Sequence, residues 1–240
     1  MSGLIVNIDR IAALRQIGRT ANPDPAAAAV LIETAGAEGI AVHLWEDRRH
    51  IQDRDVRILR QIVQSMFILE IAPTSEMTGI ALDLKPDRIV LVPEKYEETT
   101  PAGGLDLIVH RDSVAETVST LQNNGLSVGV LIDPDPEQIR LAHQINVNQV
   151  TLHLKSFRDA KTVMKKQRAF EKAVDAVKLS RRLNLQVTVC RGLDYHTIRT
   201  FRTLPEIDEF VIGHGIVARA LLTGLEKAVR DMLDLIRAMQ

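Results

Sequence analysis

The chain holds a single cysteine, a single tryptophan and two tyrosines among its 240 residues. One cysteine excludes an internal disulfide framework and fits a reducing compartment. Aromatic residues make up only 3%, too few for a base-stacking platform. Charge of one sign is also missing: 30 Lys and Arg face 31 Asp and Glu, a formal net charge of −1. That balance gives no electrostatic footprint for nucleic acid or an anionic membrane surface. No apolar run reaches the roughly 18 residues of a membrane span. Residues 1–9 lack the basic and apolar regions of a signal peptide. A cytoplasmic location is therefore expected. No Gly/Ser-rich linker or shift in composition divides the chain, so residues 1–240 are read as one domain.

What is present is a regular alternation. Short apolar runs occupy 4–8, 39–43, 67–71, 88–92, 127–132, 149–154, 186–190 and 209–212. Runs of this length read as buried strands. Between them lie amphipathic stretches at 25–35, 53–63, 76–84, 114–123, 136–145, 170–183 and 195–204, with a final helical region over 216–239. Asp24-Pro25 gives an N-cap followed by a first-turn proline, and Ala35-Gly36 and Asn124-Gly125 mark helix ends. Strand and helix in alternation imply parallel strands joined by right-handed crossovers. Eight such units predict a single (β/α)8 TIM-type barrel with extra helical segments; an open doubly wound sheet is the runner-up. Residues 93–112 are longer than a connection needs and contain Thr100 and Gly103-Gly104, which suggests a lid. The charged stretch 155–167 either opens the sixth helix or forms an extra one. The apolar positions Leu225, Val229, Met232, Leu235 and Ile236 form a face for the barrel or for another subunit.

In a barrel of this kind, reactive groups gather at the C-terminal ends of the strands. Those ends read Asn7 and Asp9, His43, Glu70, Pro93-Glu94-Lys95, Asp133, His153, Arg191-Gly192 and Gly213-His214. Asp133, before Pro134, also suits a helix cap, and His153 a hydrogen-bonded core position. His43 and Glu70 fall on neighbouring strand ends, where an imidazole and a carboxylate can exchange protons with a substrate. Gly213-His214-Gly215 after the last strand is a glycine turn opening a helix, a place for phosphate. The run 46–55 is densely charged, and a solvated loop accounts for Asp47, Arg48 and Arg49; it accounts poorly for His43.

On these residues the chain resembles the bacterial pyridoxine 5'-phosphate synthases. The likeness covers nearly the whole length. It rests on Val6-Asn7-Ile8-Asp9, Asn22-Pro23-Asp24-Pro25, Ala35 to Ile40, the run from His43 to Leu59, Leu91 to Lys95, Gly103 to Asp106, Gly192-Leu193, Tyr195-His196 and Ile212-Gly213-His214. The resemblance implies a (β/α)8 barrel, commonly an octamer of identical subunits. It implies condensation of 3-amino-2-oxopropyl phosphate with 1-deoxy-D-xylulose 5-phosphate to pyridoxine 5'-phosphate, inorganic phosphate and water, a step of vitamin B6 biosynthesis. It implies no redox cofactor and no metal. By position, His43 and Glu70 match the proton-accepting pair. Asn7, Gly192, Gly213 and His214 match residues that hold the aminoketone phosphate; Asp9, His50 and Thr100 match residues around the deoxysugar phosphate.

Several positions depart from the family pattern. Arg10 stands where a histidine is usual, Trp45 where an arginine is, and Thr151 near a glutamate position. Gly18-Arg19 replaces Arg-Gly, and Arg191 replaces a proton-donating histidine. Arginine stays protonated at ordinary pH, so Arg191 cannot cycle a proton, though it can stabilise an oxyanion or bind phosphate. Trp45 removes a cation and is expected to offer substrate an apolar face. Arg10 and Arg191 return two cations to the site. Three functions remain compatible with the sequence: a synthase with a variant site, a divergent enzyme for another phosphorylated carbonyl substrate, and a catalytically inactive ligand-binding sibling.

Overall fold

The computed structural model describes residues 2–94 and 103–239. Eight strands, β1 Gly3–Asn7, β2 Gly39–His43, β3 Met66–Ile71, β4 Arg88–Leu91, β5 Ser127–Ile132, β6 Gln149–His153, β7 Gln186–Cys190 and β8 Glu209–Ile212, pair in chain order. Every pairing is parallel, and β1 against β8 closes the barrel. The open doubly wound sheet is thereby excluded. The helices are α1 Asp9–Gly18, α2 Pro25–Thr34, α3 Asp53–Ile62, α4 Ser75–Leu84, α5 Leu107–Asn123, α6 Pro136–Gln144, α7 Lys155–Arg158, α8 Val163–Arg182, α9 His214–Thr223 and α10 Leu225–Arg237.

The strands read as unbroken apolar runs because both faces are covered. Outward residues such as Leu4, Val6, Ile40, Val42, Leu69, Ile89 and Val150 meet the helices in one large core. Inward residues Ile5, Ala41, Ile68, Val90, Leu131, Cys190 and Val211 fill the barrel. Below them the floor is polar and closed on itself. Arg88 pairs with Glu209 at 2.5 Å, Thr188 donates to the same carboxylate, and Gln149 donates to Thr188. The alternation that places these groups inside at the N-terminal end also turns Asn7, His43 and Glu70 inward at the opposite end.

The structure changes several helix boundaries expected from periodicity. α1 was not expected at all. Its buried side chains are Ile11, Ala12 and Arg15 as well as Asp9, and an arginine on the buried face disguises the apolar stripe. Arg15 grips Asp55 of α3 with two bonds, at 2.7 and 2.6 Å. α5 begins at Leu107, within the stretch read as a lid, with Asp106 as its cap. Thr100, and with it the middle of that stretch, lies outside the described residues. The stretch 155–167 forms a separate short helix and the start of a long one. Residues 195–204 hold only a 3₁₀ turn, Ile198–Thr203. The final helical region is two helices, broken at Gly224. Val229, Met232 and Ile236 of α10 are buried, and Leu225 and Leu235 pack against the same core. Asp135, rather than Asp133, caps α6 by accepting from the N–H groups of Glu137 and Gln138.

Candidate active site

A cavity of about 90 Å³ opens at the C-terminal mouth of the barrel. Its lining includes Asn7, Asp9, Arg10, His50, Glu70, Arg158, Arg191, Gly192, Gly213 and His214. Nine of the residues singled out from the sequence thus meet in one place, joined by Arg158, which sequence reasoning did not find. His43 lies directly behind the lining, 1% exposed, in register with Glu70 on the next strand.

Two local backbone features shape this mouth. Arg191 follows the inward Cys190, so continued strand geometry would send its side chain outward. Instead it adopts a left-handed conformation, φ 60°. The guanidinium reaches across the mouth and donates to Glu70 at 2.8 Å. Gly192 follows with φ 138°, and a Cβ there would stand 2.8 Å from the Leu154 carbonyl oxygen. After β8, Gly213 serves as the cap of α9, and a Cβ on it would lie 2.9 Å from the carbonyl oxygen of Asn7. The turn can press against β1 only because this residue has no side chain. The start of α9 borders the cavity end that Gly213 and His214 line, and a helix N-terminus favours an anion there.

Asp9 organises the floor of the mouth. It accepts from the Asn7 amide at 3.0 Å and from the backbone N–H of His43 at 2.8 Å. His43 in turn presents Nε2 to Glu94 at 3.1 Å, which puts the proton of a neutral ring on Nε2. Glu94 also accepts from the backbone of Glu46. Nδ1 of His43 is buried and has no hydrogen-bond partner among the described residues. Burial drives the His43 pKa down to about 4, against the pull of Glu70 and Asp9. His50 is also brought to about 4, by burial first and then by the charges of Arg10 and Arg49. Burial pushes Glu94 up. For Arg191, burial acts to lower the pKa, but Glu70, Cys190 and Asp9 outweigh it and the net shift is upward. Cys190, buried beneath, is raised to about 12 and is no nucleophile.

Asp9, His43 and Glu70 each offer one ligand atom within 4.8 Å of the others, the spacing of a possible metal site. Glu70 is already bound by Arg191, and Asp9 by Asn7 and the His43 N–H. Hydrogen bonds thus occupy the carboxylates of this trio.

Trp45 departs from expectation. It is 2% exposed and lies outside the cavity lining, so it offers substrate no face. Its ring stacks on His43 at 4.4 Å and faces His50 at 6.2 Å, with the Arg49 guanidinium 4.0 Å above it. It therefore steadies both imidazoles. The charged run around it is more than a solvated loop. Arg48 binds Asp53 and Glu76, Arg49 binds Asp47, and the His50 carbonyl accepts from Arg15 and Gln16. Gly18 and Arg19 sit at the exposed end of α1, outside the lining. Thr151 is buried on β6, its hydroxyl without a partner among the described residues. His153 is buried and accepts from the Lys155 N–H, and Asp133 accepts from Gly104.

The two depressed imidazoles carry a consequence for stability. Their folded-state values lie below the 6.5 of an unfolded histidine, so the unfolded chain takes up protons first. Stability is full above pH 6.5 and falls as pH drops toward 4, by about 3 kcal/mol for the fully buried His43 and by less for His50, which borders the open cavity and is screened by solvent. Urea midpoints measured between pH 8 and pH 5 should decline accordingly; a flat profile would contradict the burial of neutral rings.

Residues 4–238 match the family model described as pyridoxal phosphate biosynthesis protein PdxJ. The chain is 52% identical over 239 residues to a pyridoxine 5'-phosphate synthase of Desulforapulum autotrophicum, covering 100% of both. It is 49% identical to a pyridoxine 5'-phosphate synthase of Desulfatibacillum aliphaticivorans, covering 99% of both. Among solved structures, KGPDC from Streptococcus mutans superposes with a TM-score of 0.68 over 100% of this chain and 99% of that one, at 13% identity. A phosphoribosylanthranilate isomerase from Thermotoga maritima superposes at 0.61 and 11% identity, over 99% of this chain and 100% of that one. At such identities these two share the fold alone.

Proposed function

The chain belongs to the PdxJ family of pyridoxal phosphate biosynthesis proteins, and on that footing we propose that it is a pyridoxine 5'-phosphate synthase with a rearranged set of charges. It joins 3-amino-2-oxopropyl phosphate to 1-deoxy-D-xylulose 5-phosphate in vitamin B6 biosynthesis. The observation that carries this reading is His43 in register with Glu70, beside a cavity that ends on the Gly213-His214 turn.

The reaction needs two phosphate sites and groups that move protons as water is lost. Gly192, Gly213, His214 and Asn7 take the aminoketone phosphate, where the start of α9 favours an anion. Arg10 and His50 take the deoxysugar phosphate, with Thr100 at the matching family position. Asp9 holds Asn7 and the His43 backbone in place. His43, neutral at pH 7, accepts a proton and returns it as an imidazolium. Glu70 is the second acceptor. Arg191 stays charged, so its work is to orient Glu70 and to stabilise oxygen as negative charge develops on it. Trp45 stacks on His43 and His50 and helps to shield His43 from solvent.

Assembly as a homo-oligomer, an octamer by resemblance, and a cytoplasmic location belong to the same proposal. The strongly exposed Ile17, Leu221 and Leu222 support assembly. No helix among the described residues is long and apolar enough to cross a membrane.

Incubation with both substrates, following phosphate release and product mass, tests the function. Pyridoxine 5'-phosphate and inorganic phosphate should form in equal amounts. Product no faster than in an enzyme-free control would overturn the assignment.

A further inference from the structure

The cavity is lined by three arginines, and their surroundings differ. Arg191 is committed to Glu70 at 2.8 Å. Arg10 sits at the His50 end, where its charge helps to depress that imidazole. Arg158 belongs to the other end. It is the last residue of the short helix α7, and its Cβ lies 3.0 Å from where a Cβ on Gly192 would stand. The turn after β8 leans on the same loop: a Cβ on Gly215 would lie 3.0 Å from the Leu193 carbonyl oxygen. The 192–194 segment thus sits between Arg158 and the 213–215 turn, and Arg158, Gly192, Gly213 and His214 line one cavity.

The charge of Arg158 is lightly held. Its partner is the adjacent Asp159, at 2.7 and 3.2 Å, and both side chains are about half exposed, at 51% and 48%. An exposed pair of neighbours contributes little. A dianionic phosphate ester offers the guanidinium fork a stronger, two-pronged partner. The Gly213-His214 turn supplies only N–H groups and a partial charge, so a phosphate seated there lacks a full cation unless one reaches it from a neighbouring segment.

We propose that Arg158 is that cation: a phosphate-binding residue that exchanges Asp159 for the phosphate of the substrate held at Gly213 and His214. This rests on the reading that the cavity takes phosphorylated substrates. It assigns the aminoketone phosphate end a specificity for dianions, set by α7 rather than by the barrel strands.

The test compares the wild type with Arg158→Ala, Arg158→Lys and Asp159→Asn. Inorganic phosphate binding is measured by calorimetry, alongside KM and kcat for each substrate. Arg158→Ala should weaken phosphate binding about tenfold or more. It should raise the KM for 3-amino-2-oxopropyl phosphate by a similar factor, with kcat and the other KM little changed. Arg158→Lys should recover part of the loss. Asp159→Asn removes the competitor and should tighten phosphate, a gain that no folding defect can mimic. Equal phosphate affinity in the wild type and Arg158→Ala, or none in either, overturns the proposal. Arg158-dependent phosphate binding without synthesis of pyridoxine 5'-phosphate would instead reject the synthase reading and leave this one standing. Synthesis with unchanged KM values in Arg158→Ala would do the reverse.

Discussion

The His43→Asn variant is expected to turn over about 10²–10⁴-fold more slowly than the wild type, the range of a lost acid–base group, with KM values little moved. Asparagine matches the near end of the ring but does not reach Glu94, so the titrating nitrogens and the Nε2 bond that orients them are removed together. The size of the effect follows from the ring's setting. His43 is buried, neutral at pH 7 and oriented by Glu94, with Nδ1 left without a partner. A base kept dry and unprotonated is ready to accept a proton. Because its pKa is about 4, the wild-type rate should show no histidine-like inflection between pH 6 and 8 attributable to this ring. Glu94→Gln should lower kcat less, since it weakens the orientation and spares the base. Single-turnover rates check both; a His43→Asn enzyme within threefold of the wild type would remove His43 from the chemistry.

The second large effect concerns the pair Arg191 and Glu70. Arg191→Met leaves a carboxylate that is 5% exposed without its cation. Breaking a buried pair by removing one partner costs about 3–5 kcal/mol, because the survivor is an uncompensated charge. Removing both is much milder. Glu70→Gln/Arg191→Met should therefore recover most of the stability lost in Arg191→Met, a coupling that urea unfolding of the cycle measures directly. Activity should not recover: Glu70 has lost its proton-accepting oxygen, and the developing oxyanion has lost its stabilising cation. Additive stabilities in the cycle would show that the pair is not coupled. An active double variant would show that Glu70 is not a required proton acceptor and that Arg191 does not stabilise the oxyanion.

Reversal of the departure at Trp45 carries a structural cost. Placing arginine at position 45 would bury a charge between two imidazoles and beneath Arg49, where Trp45 now stacks. In this chain tryptophan is part of the packing that keeps His43 dry, and the arginines that line the cavity, Arg10, Arg158 and Arg191, lie elsewhere.

The repeating strand and helix units, the barrel and nine residues of the cavity lining were legible in the order of residues alone. Buried strands and amphipathic helices leave periodic marks within a few residues, and parallel connectivity then sends every strand end to one mouth. His43 and Glu70 could be paired from sequence because adjacent parallel strands of similar length align their ends. Residues with no local mark escaped. Arg158 looks like any charge in a polar stretch, and α1 hides behind its buried Arg15. The remaining contacts follow from closure of the barrel. Arg191 and Glu70 are 121 positions apart and meet because the closed barrel brings β3 and β7 to a common interior and a left-handed residue turns the guanidinium inward. Trp45 lies behind the site because residues 43–50 fold back over its ring, and the fate of its side chain depended on that packing. Local periodicity sets which face of an element is buried; what a side chain meets there depends on closure, which no short stretch of sequence records.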